Sequence, residues 1–158
     1  MPRQQHISEP QRAYEAALRF LSYRPRSSQE VRRRLASRFT PEAVQETVRR
    51  LEEHGFLDDA AFAAFWRQSR EAHRPRSTAL IRRELMQKGV PRDVAEAAVT
   101  GLDDEHSAYR AAKRRERALR GLDEATFRRR LGDYLRRRGF SFGVAHGVVE
   151  RLWEERGG

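Results

Sequence analysis

Residues 24–35 of the chain read RPRSSQEVRRRL, and residues 74–85 read RPRSTALIRREL. The second segment follows the first at an offset of 50 residues, and the correspondence continues without a gap through Pro41/Pro91, Val44/Val94 and Glu46/Glu96. A third, weaker copy keeps the same step, in the triplets Val31/Ile81/Leu131, Leu35/Leu85/Leu135 and Arg38/Lys88/Arg138. Self-similarity at a fixed period is the sequence signature of repeat proteins. The chain is therefore predicted to be a tandem array of three units.

Three helices are predicted in each unit, because the apolar residues recur every three to four positions and no β-alternation competes. Ser27 and Ser77 are typical N-caps of a second helix, and Gly89 and Gly139 are typical of its C-terminal end. Since such units bury little surface alone, we expect them to pack end to end as an elongated, curved array. The predicted fold is all-α, with nine helices in three tandem helix-turn-helix-like modules that comprise residues 1–56, 57–102 and 103–158.

Apolar residues at helical spacing are assigned to the core rather than to ligand contacts. The third helix of the second module is expected to open at Pro91. The first helix of the third module is expected to run from near Asp103 to Gly121. The residues assigned to the core in the second and third modules include Phe62, Phe65, Trp66, Val94, Ala97, Ala98, Tyr109, Ala112, Leu119, Phe127 and Leu131.

The net charge is strongly basic, because 33 Lys and Arg against 23 Asp and Glu give +10 at neutral pH. Arginine supplies 31 of these cations, a preference that a GC-rich genome also produces. The charge itself implies an anionic partner or environment. It is divided as +4, +2 and +4 over the predicted modules and is densest between Arg110 and Arg138, which hold twelve cations and four acids. This distribution favours a long, repeating anionic target over one short duplex site.

Arginines that recur at equivalent positions, or that cluster in the third module, are the candidate contacts to such a partner. Arginine suits this role because its planar guanidinium binds phosphate or carboxylate with two parallel hydrogen bonds. The alternative interpretation is a solvated helical face, which charge runs usually form. The candidates for binding a filament or DNA are Arg24, Arg26, Arg32, Arg33, Arg74, Arg76, Arg82, Arg83, Arg114, Arg115, Arg128, Arg129, Arg130, Arg136 and Arg137.

No motif of a catalytic, metal or nucleotide site occurs. Cysteine is absent, which excludes thiolate zinc sites and cysteine nucleophiles. The five histidines are scattered, and the acidic pairs Asp58-Asp59 and Asp103-Asp104 lie where helices begin, so they are interpreted as caps rather than as Mg²⁺ ligands of a nuclease. We therefore predict a protein that is not an enzyme, with no catalytic residues, no metal and no cofactor. Without a signal-like segment or a long apolar run, we expect a cytoplasmic protein that does not enter a membrane.

A DNA-binding repressor with a helix-turn-helix is the alternative function. Leu85, Gly89 and Val94 bracket a short glycine-containing turn of the kind such motifs use. A reading helix would open with Asn, Gln or Arg facing base edges. The third helices instead open with Pro41-Glu42-Ala43, Pro91-Arg92-Asp93 and Phe142-Gly143-Val144, which are poor readers of a major groove. The sequence also lacks a heptad pattern for the dimer that such repressors commonly form.

Several segments resemble the RecX family in order and spacing. The central signature is Gly55-Phe56-Leu57-Asp58-Asp59, followed by Phe62-Ala63 and Arg70. Further matches are Leu18, Leu21, Ser28, Glu30 and Leu35 in the first module, Leu85, Lys88-Gly89-Val90 and Ala97 in the second, and Tyr134-Leu135, Arg138-Gly139-Phe140 and Val148 in the third. The resemblance spans about residues 13–153. The chain departs from it in the segment Arg74-Pro75-Arg76-Ser77, where many relatives have glycine.

This resemblance implies three tandem three-helix modules and a regulator of the RecA recombinase. RecX-like proteins are non-enzymatic, usually inhibitory, and lodge along the groove of the RecA–single-stranded DNA filament. They suppress ATP hydrolysis, strand exchange and co-protease activity, and so modulate DNA repair, recombination and the SOS response. The implied partners are the RecA filament and single-stranded DNA, with non-specific duplex DNA as a further candidate, and we expect a monomer. Whether inhibition works by capping, groove blocking or disassembly of the filament stays open.

Overall fold

The computed structural model describes residues 7–156, and over this range the protein is all-α, as predicted. These residues form nine α-helices and one short 3-10 helix, without a strand. The α-helices are α1 Glu9–Leu21, α2 Ser28–Ala36, α3 Pro41–Glu53, α4 Asp59–His73, α5 Thr78–Gln87, α6 Arg92–Val99, α7 Asp104–Arg115, α8 Glu124–Arg137 and α9 Phe142–Glu155. The 3-10 helix Glu116–Leu119 follows α7 directly.

By its internal contacts the chain forms two compact units. The first comprises the residues up to Phe65 together with Leu85–Ala95, and the second comprises Trp66–Glu84 together with the residues from Glu96 onward. The division passes through the predicted second module, so α4, α5 and α6 each contribute residues to both units. The module boundaries after residues 56 and 102 stay a prediction.

Each unit has its own apolar core. In the first unit, Val31 of α2 and Leu51 of α3 are fully buried, and they belong to the same core cluster as Ala17 of α1. In the second unit, the phenyl ring of Phe127 and the side chain of Leu152 are packed among three fully buried alanines of α7. Alanine has the shortest apolar side chain after glycine's hydrogen, so these positions allow α8 and α9 to pack close to α7.

Within the first unit, the start of α2 is held by residues of the second module. The Ser27 hydroxyl, which caps α2, donates to the Lys88 carbonyl at 2.5 Å, and the Ser28 amide donates to Asp59 Oδ1 at 2.9 Å. Gly89 has a φ of 85°, and a Cβ added there would overlap the Cβ of Gln29. The turn after α5 therefore needs glycine both for its left-handed backbone and for its close approach to α2.

Within the second unit, a similar arrangement recurs at the start of α5, with the serine amide rather than its hydroxyl as the donor. The Ser77 amide donates to the Arg138 carbonyl at 3.0 Å, and the Thr78 amide donates to Asp104 Oδ1 at 2.8 Å. Gly139 has a φ of 90°, and a Cβ there would lie 2.7 Å from Leu80 Cβ. Of the acids predicted to be caps, Asp58 and Asp103 cap their own helices, and Asp59 and Asp104 satisfy amide donors at the start of a neighbouring helix. The repeat in the sequence is therefore accompanied by a repeated contact: an acid of each following module binds an amide at the start of the preceding module's second helix.

The third module departs from this pattern at Phe127, which occupies the repeat position of Ser27 and Ser77. Its ring is fully buried and lies 5.3 Å from that of Trp153. The start of α8 is capped instead by Asp123, which accepts from the Thr126 amide. In the third module the second helix therefore begins one turn earlier in the repeat, and a core aromatic replaces the capping hydroxyl.

Two of the core assignments made from spacing are wrong. On α6, Ala97 is exposed and Ala98 half-buried, whereas Ala95 and Val99 are buried. Because α6 has only eight residues and most of them are small and apolar, its spacing fits two adjacent faces equally well. On α4, Phe65 is 40% exposed, since it lies about 100° around the helix from the buried face formed by residues 62, 63 and 66.

Two helix boundaries also differ from the prediction. The helix expected from Asp103 to Gly121 ends as an α-helix at Arg115, and the 3-10 turn that follows carries Leu119 into the core. The helix expected to open at Pro91 begins at Arg92.

Candidate nucleic-acid interface

The fifteen candidate arginines divide into those with partners inside the protein and those without. Ion pairs and hydrogen bonds to other parts of the chain distinguish the two sets, because a guanidinium that already binds a carboxylate or a carbonyl is less available to an outside anion. The set with internal polar partners is Arg24, Arg26, Arg76, Arg114 and Arg128.

The Arg-Pro-Arg loop before α2 binds its own helix. Arg24 Nη2 donates to Glu30 Oε2 at 2.7 Å, and Arg26 lies 3.9 Å from the same oxygen and 4.0 Å above the ring of Phe20. Burial lowers the pKa of the Arg26 guanidinium. Glu30 also completes the capping box with Ser27. The loop therefore anchors the start of α2.

The equivalent loop before α5 is anchored in a different way. Arg76 pairs with Glu84, whose side chain is only 13% exposed. The same Glu84 oxygen, Oε2, lies 3.3 Å from Arg70 Nη2. The Glu84 carboxylate accepts from Trp66 Nε1 at 3.4 Å as well. Burial lowers the pKa of the Arg76 guanidinium. Arg74, two residues earlier, is exposed.

Two further cations support helix ends and helix pairs in the second unit. Arg114 donates to the carbonyls of Ala72 and His73 at 2.6 Å each, so it caps the C-terminal end of α4. Arg128 pairs with Glu124 on its own helix at 2.9 Å and with Glu150 of α9, and the hydrogen bond to Glu150 raises the pKa of Arg128. Both side chains therefore stabilise the fold.

The remaining candidates have no ion-pair partner within residues 7–156. All are exposed except Arg82, which is half-buried. Arg115 lies 5.2 Å from the ring centroid of Tyr134. The set without an ion pair is Arg32, Arg33, Arg74, Arg82, Arg83, Arg115, Arg129, Arg130, Arg136 and Arg137.

A cleft of about 260 Å³ brings three of these arginines together in the second unit. It lies between the end of α7, the 3-10 helix and α8. Arg115, Arg130 and Arg137 line it beside the ring of Tyr134, with one acid, Asp133. Three cations facing one carboxylate across a small concavity give a local excess of positive charge.

A second cleft, of about 160 Å³, lies between α1 and α2 in the first unit. Three arginines line it, and no acid does. The arginines are Arg19, Arg34 and Arg38, and the aromatic residues beside them are Phe20, Tyr23 and Phe39. None of these arginines was among the candidates from sequence. The signal that could have found them is their spacing, because Arg34 lies in the last turn of α2 and Arg38 just beyond its end, while α1 carries Arg19 next to Phe20.

The part of the chain that the structure describes contains no group of three His, Asp or Glu side chains placed to hold a metal ion. None of its helices combines the length and the apolar character needed to cross a membrane.

Three tandem modules of three helices, with arginines left unpaired on both units, place the protein among the small helical-repeat proteins with a basic surface. Models of the first, second and third three-helix domains of RecX match residues 13–61, 58–99 and 103–149, in that order. The chain belongs to the RecX family. The order of the matches confirms the three tandem modules predicted from the repeat.

Relatives named as RecX regulatory proteins are similar in sequence to this protein over most of the chain. A regulatory protein RecX of Streptomyces coelicolor is 39% identical over 144 residues, which cover 89% of this chain and 77% of the relative. Another from Mycobacterium ulcerans is 41% identical over 152 residues, 90% of this chain and 87% of the relative. The crystal structure of RecX from Lactobacillus salivarius has the same fold, with a TM-score of 0.76 at 20% identity over 91% of this chain and 96% of that one. The protein is a regulatory protein of the RecX type.

Proposed function

We propose that the protein inhibits the RecA recombinase by binding along the groove of the RecA–single-stranded DNA filament. The observation that carries this proposal is membership of the RecX family over all three modules, combined with unpaired arginines on both units. A filament is a periodic anionic target, and a chain of repeated modules offers it repeated cations. Occupying the groove would suppress ATP hydrolysis, strand exchange and co-protease activity, and would so modulate DNA repair and the SOS response.

Distributed contacts suit such a target energetically. Several weak contacts held in one chain bind more tightly than any of them alone, because each later contact forms at a high effective concentration. Contacts to phosphates release counterions, so binding would weaken steeply as salt rises. We propose a monomer that acts in the cytoplasm and touches both RecA and DNA, through the arginines that have no partner inside the protein. The comparisons do not favour the alternative, a helix-turn-helix repressor.

Adding the protein to RecA on single-stranded DNA is expected to lower the rate of ATP hydrolysis. Replacing Arg129, Arg130, Arg136 and Arg137 together by glutamine should raise the concentration needed for half-inhibition by roughly tenfold or more, which corresponds to at least about 1.4 kcal/mol of lost binding. The measurement is a coupled ATPase titration, accompanied by co-sedimentation with filaments.

The variant Arg49→Gln serves as the control, because Arg49 already pairs with Glu46 and Glu53 on α3. It should inhibit like the unmodified protein. An unchanged ATPase rate with the unmodified protein, and no co-sedimentation with filaments, would show that this protein does not act on RecA.

A further inference from the structure

The two basic clefts lie at equivalent places, each between the first and second helices of a module. One belongs to the first module and the first unit, the other to the third module and the second unit. We infer that each cleft binds single-stranded nucleic acid, with its arginines on the phosphodiester groups and a tyrosine beside the bases. This inference deepens the proposed function, on which it rests, by naming where the chain touches DNA.

The first-module cleft combines three arginines with an accessible aromatic ring. Arg34 lies 5.4 Å from the ring centroid of Phe20, and Arg38 lies 5.7 Å from that of Phe39, so aromatic faces orient both guanidinium groups. No acid lines this cleft. Tyr23 is 82% exposed at its edge. Positively charged grooves with aromatic platforms are the usual way in which proteins hold single strands.

The third-module cleft repeats this chemistry with different residues. The ring of the half-buried Tyr134 lies near two guanidinium groups, those of Arg115 and Arg138, each 5.2 Å from its centroid. Arg130 and Arg137 are exposed on the same side of α8 and line the cleft with Arg115. Asp133 is the one acid in the lining, so a net positive charge remains.

The second module shows what would neutralise such a cleft. Its residue at the repeat position of Arg34 and Tyr134 is Glu84. That carboxylate binds Arg76 and Arg70, and it accepts from the indole of Trp66. The arginines beside the equivalent helix pair are therefore bound by an acid inside the protein. An acid at this one repeat position distinguishes the second module from the two modules that keep a basic cleft.

Nucleic acid fits these clefts better than an acidic protein surface does. Both ligands would pair with arginine, but only a polynucleotide also supplies flat bases to stack on a tyrosine such as the exposed Tyr23. Stacking on aromatic side chains does not depend on which base is present. The clefts should therefore bind single strands without sequence preference.

The test is fluorescence anisotropy of labelled oligo(dT) without RecA, measured across a salt series. Two glutamine variants each remove two cleft arginines, Arg34 and Arg38 or Arg130 and Arg137. Two controls remove the same charge outside the clefts from side chains that already pair with acids, at Arg49 and Arg151 or at Arg49 and Lys113.

Each cleft variant should lose roughly tenfold in affinity, and its salt slope should fall by about 1.4, since each lost phosphate contact on a single strand contributes about 0.7. The controls should change affinity by about twofold at most. Tyr23→Ala should weaken binding by roughly fivefold or more, the loss that removing one base–aromatic stack produces. Circular dichroism of every variant should match that of the unmodified protein.

Equal losses in the cleft and control variants would overturn the inference, because net charge alone would then explain binding. Displacement of the oligonucleotide by polyglutamate at equal charge concentration would also overturn it, in favour of an acidic protein partner. The RecA ATPase titration separates this result from the proposed function. If the cleft variants kept full affinity for oligo(dT) while the protein still inhibited RecA, DNA binding in the clefts would be contradicted and the proposed inhibition of RecA would stand.

Discussion

Replacing Phe127 by alanine is expected to lower the free energy of unfolding by about 3–5 kcal/mol, the usual cost of deleting a buried phenyl group. The ring is fully buried and packs against Trp153 in the core of the second unit. The α7 residues of the same core cluster are alanines, whose side chains are too short to fill the space. For a chain of this size the thermal midpoint should fall by roughly 6–20 °C. Thermal and urea unfolding followed by circular dichroism measure the change.

Phe142→Ala is the matched control, because Phe142 is the same residue type at 68% exposure on α9. Its effect should stay within about 0.5 kcal/mol, as is usual for surface positions. Equal effects of the two substitutions would contradict the core position of Phe127. They would also contradict the interpretation that Phe127 is a core residue at the repeat position where Ser27 and Ser77 cap a helix.

Replacing Gly89 by alanine is expected to destabilise the first unit by about 2–5 kcal/mol. About 1–2 kcal/mol comes from forcing an L-residue into the left-handed region, since φ at Gly89 is 85°. A further 1–3 kcal/mol or so comes from overpacking, because the new Cβ would overlap the Cβ of Gln29, which is close to the backbone and cannot rotate away. Thermal unfolding is again the measurement.

Gly55→Ala separates these two contributions. Gly55 has a similar φ of 77°, but a Cβ there would have no atom within 4 Å. It should therefore cost only the backbone contribution, and the difference between the two variants reports the contact that joins the first and second modules. If Gly89→Ala were no more destabilising than Gly55→Ala, the turn after α5 would not pack tightly on α2.

Local signals were enough to predict most of the helices. Ser27 caps α2 with Glu30 as expected, and the buried residues Val31 and Leu35 follow the 3.6-residue period. Both features depend on neighbours within one or two turns, so they can be recognised without knowing the rest of the fold. Prediction failed on α6, where a short run of small apolar residues leaves the buried face undecided until packing selects Ala95 and Val99.

The candidate interface was predictable in part. The exposed arginines of α8 follow from their position opposite the Leu131 stripe. In contrast, the Arg-Pro-Arg loops were singled out because they repeat, and three of their four arginines are bound to Glu30 or Glu84. Whether these loop arginines also touch a partner stays a prediction. The first-module cleft was missed, because α1 and α2 must pack before Arg19 and Arg34 come together.

The sequence by itself determined the repeat, the all-α class, the helix caps and the basic charge, because each depends on residue type or on spacing within a few turns. Only the tertiary structure decided which charges remain available. Arg114 caps a helix about 40 residues away, and Asp59 and Asp104 bind amides at the start of a preceding module's second helix. Coulomb energy depends on distance in space and on burial, and neither is set by distance along the chain. The excess of +10 therefore becomes a binding surface only where folding leaves arginines without acids.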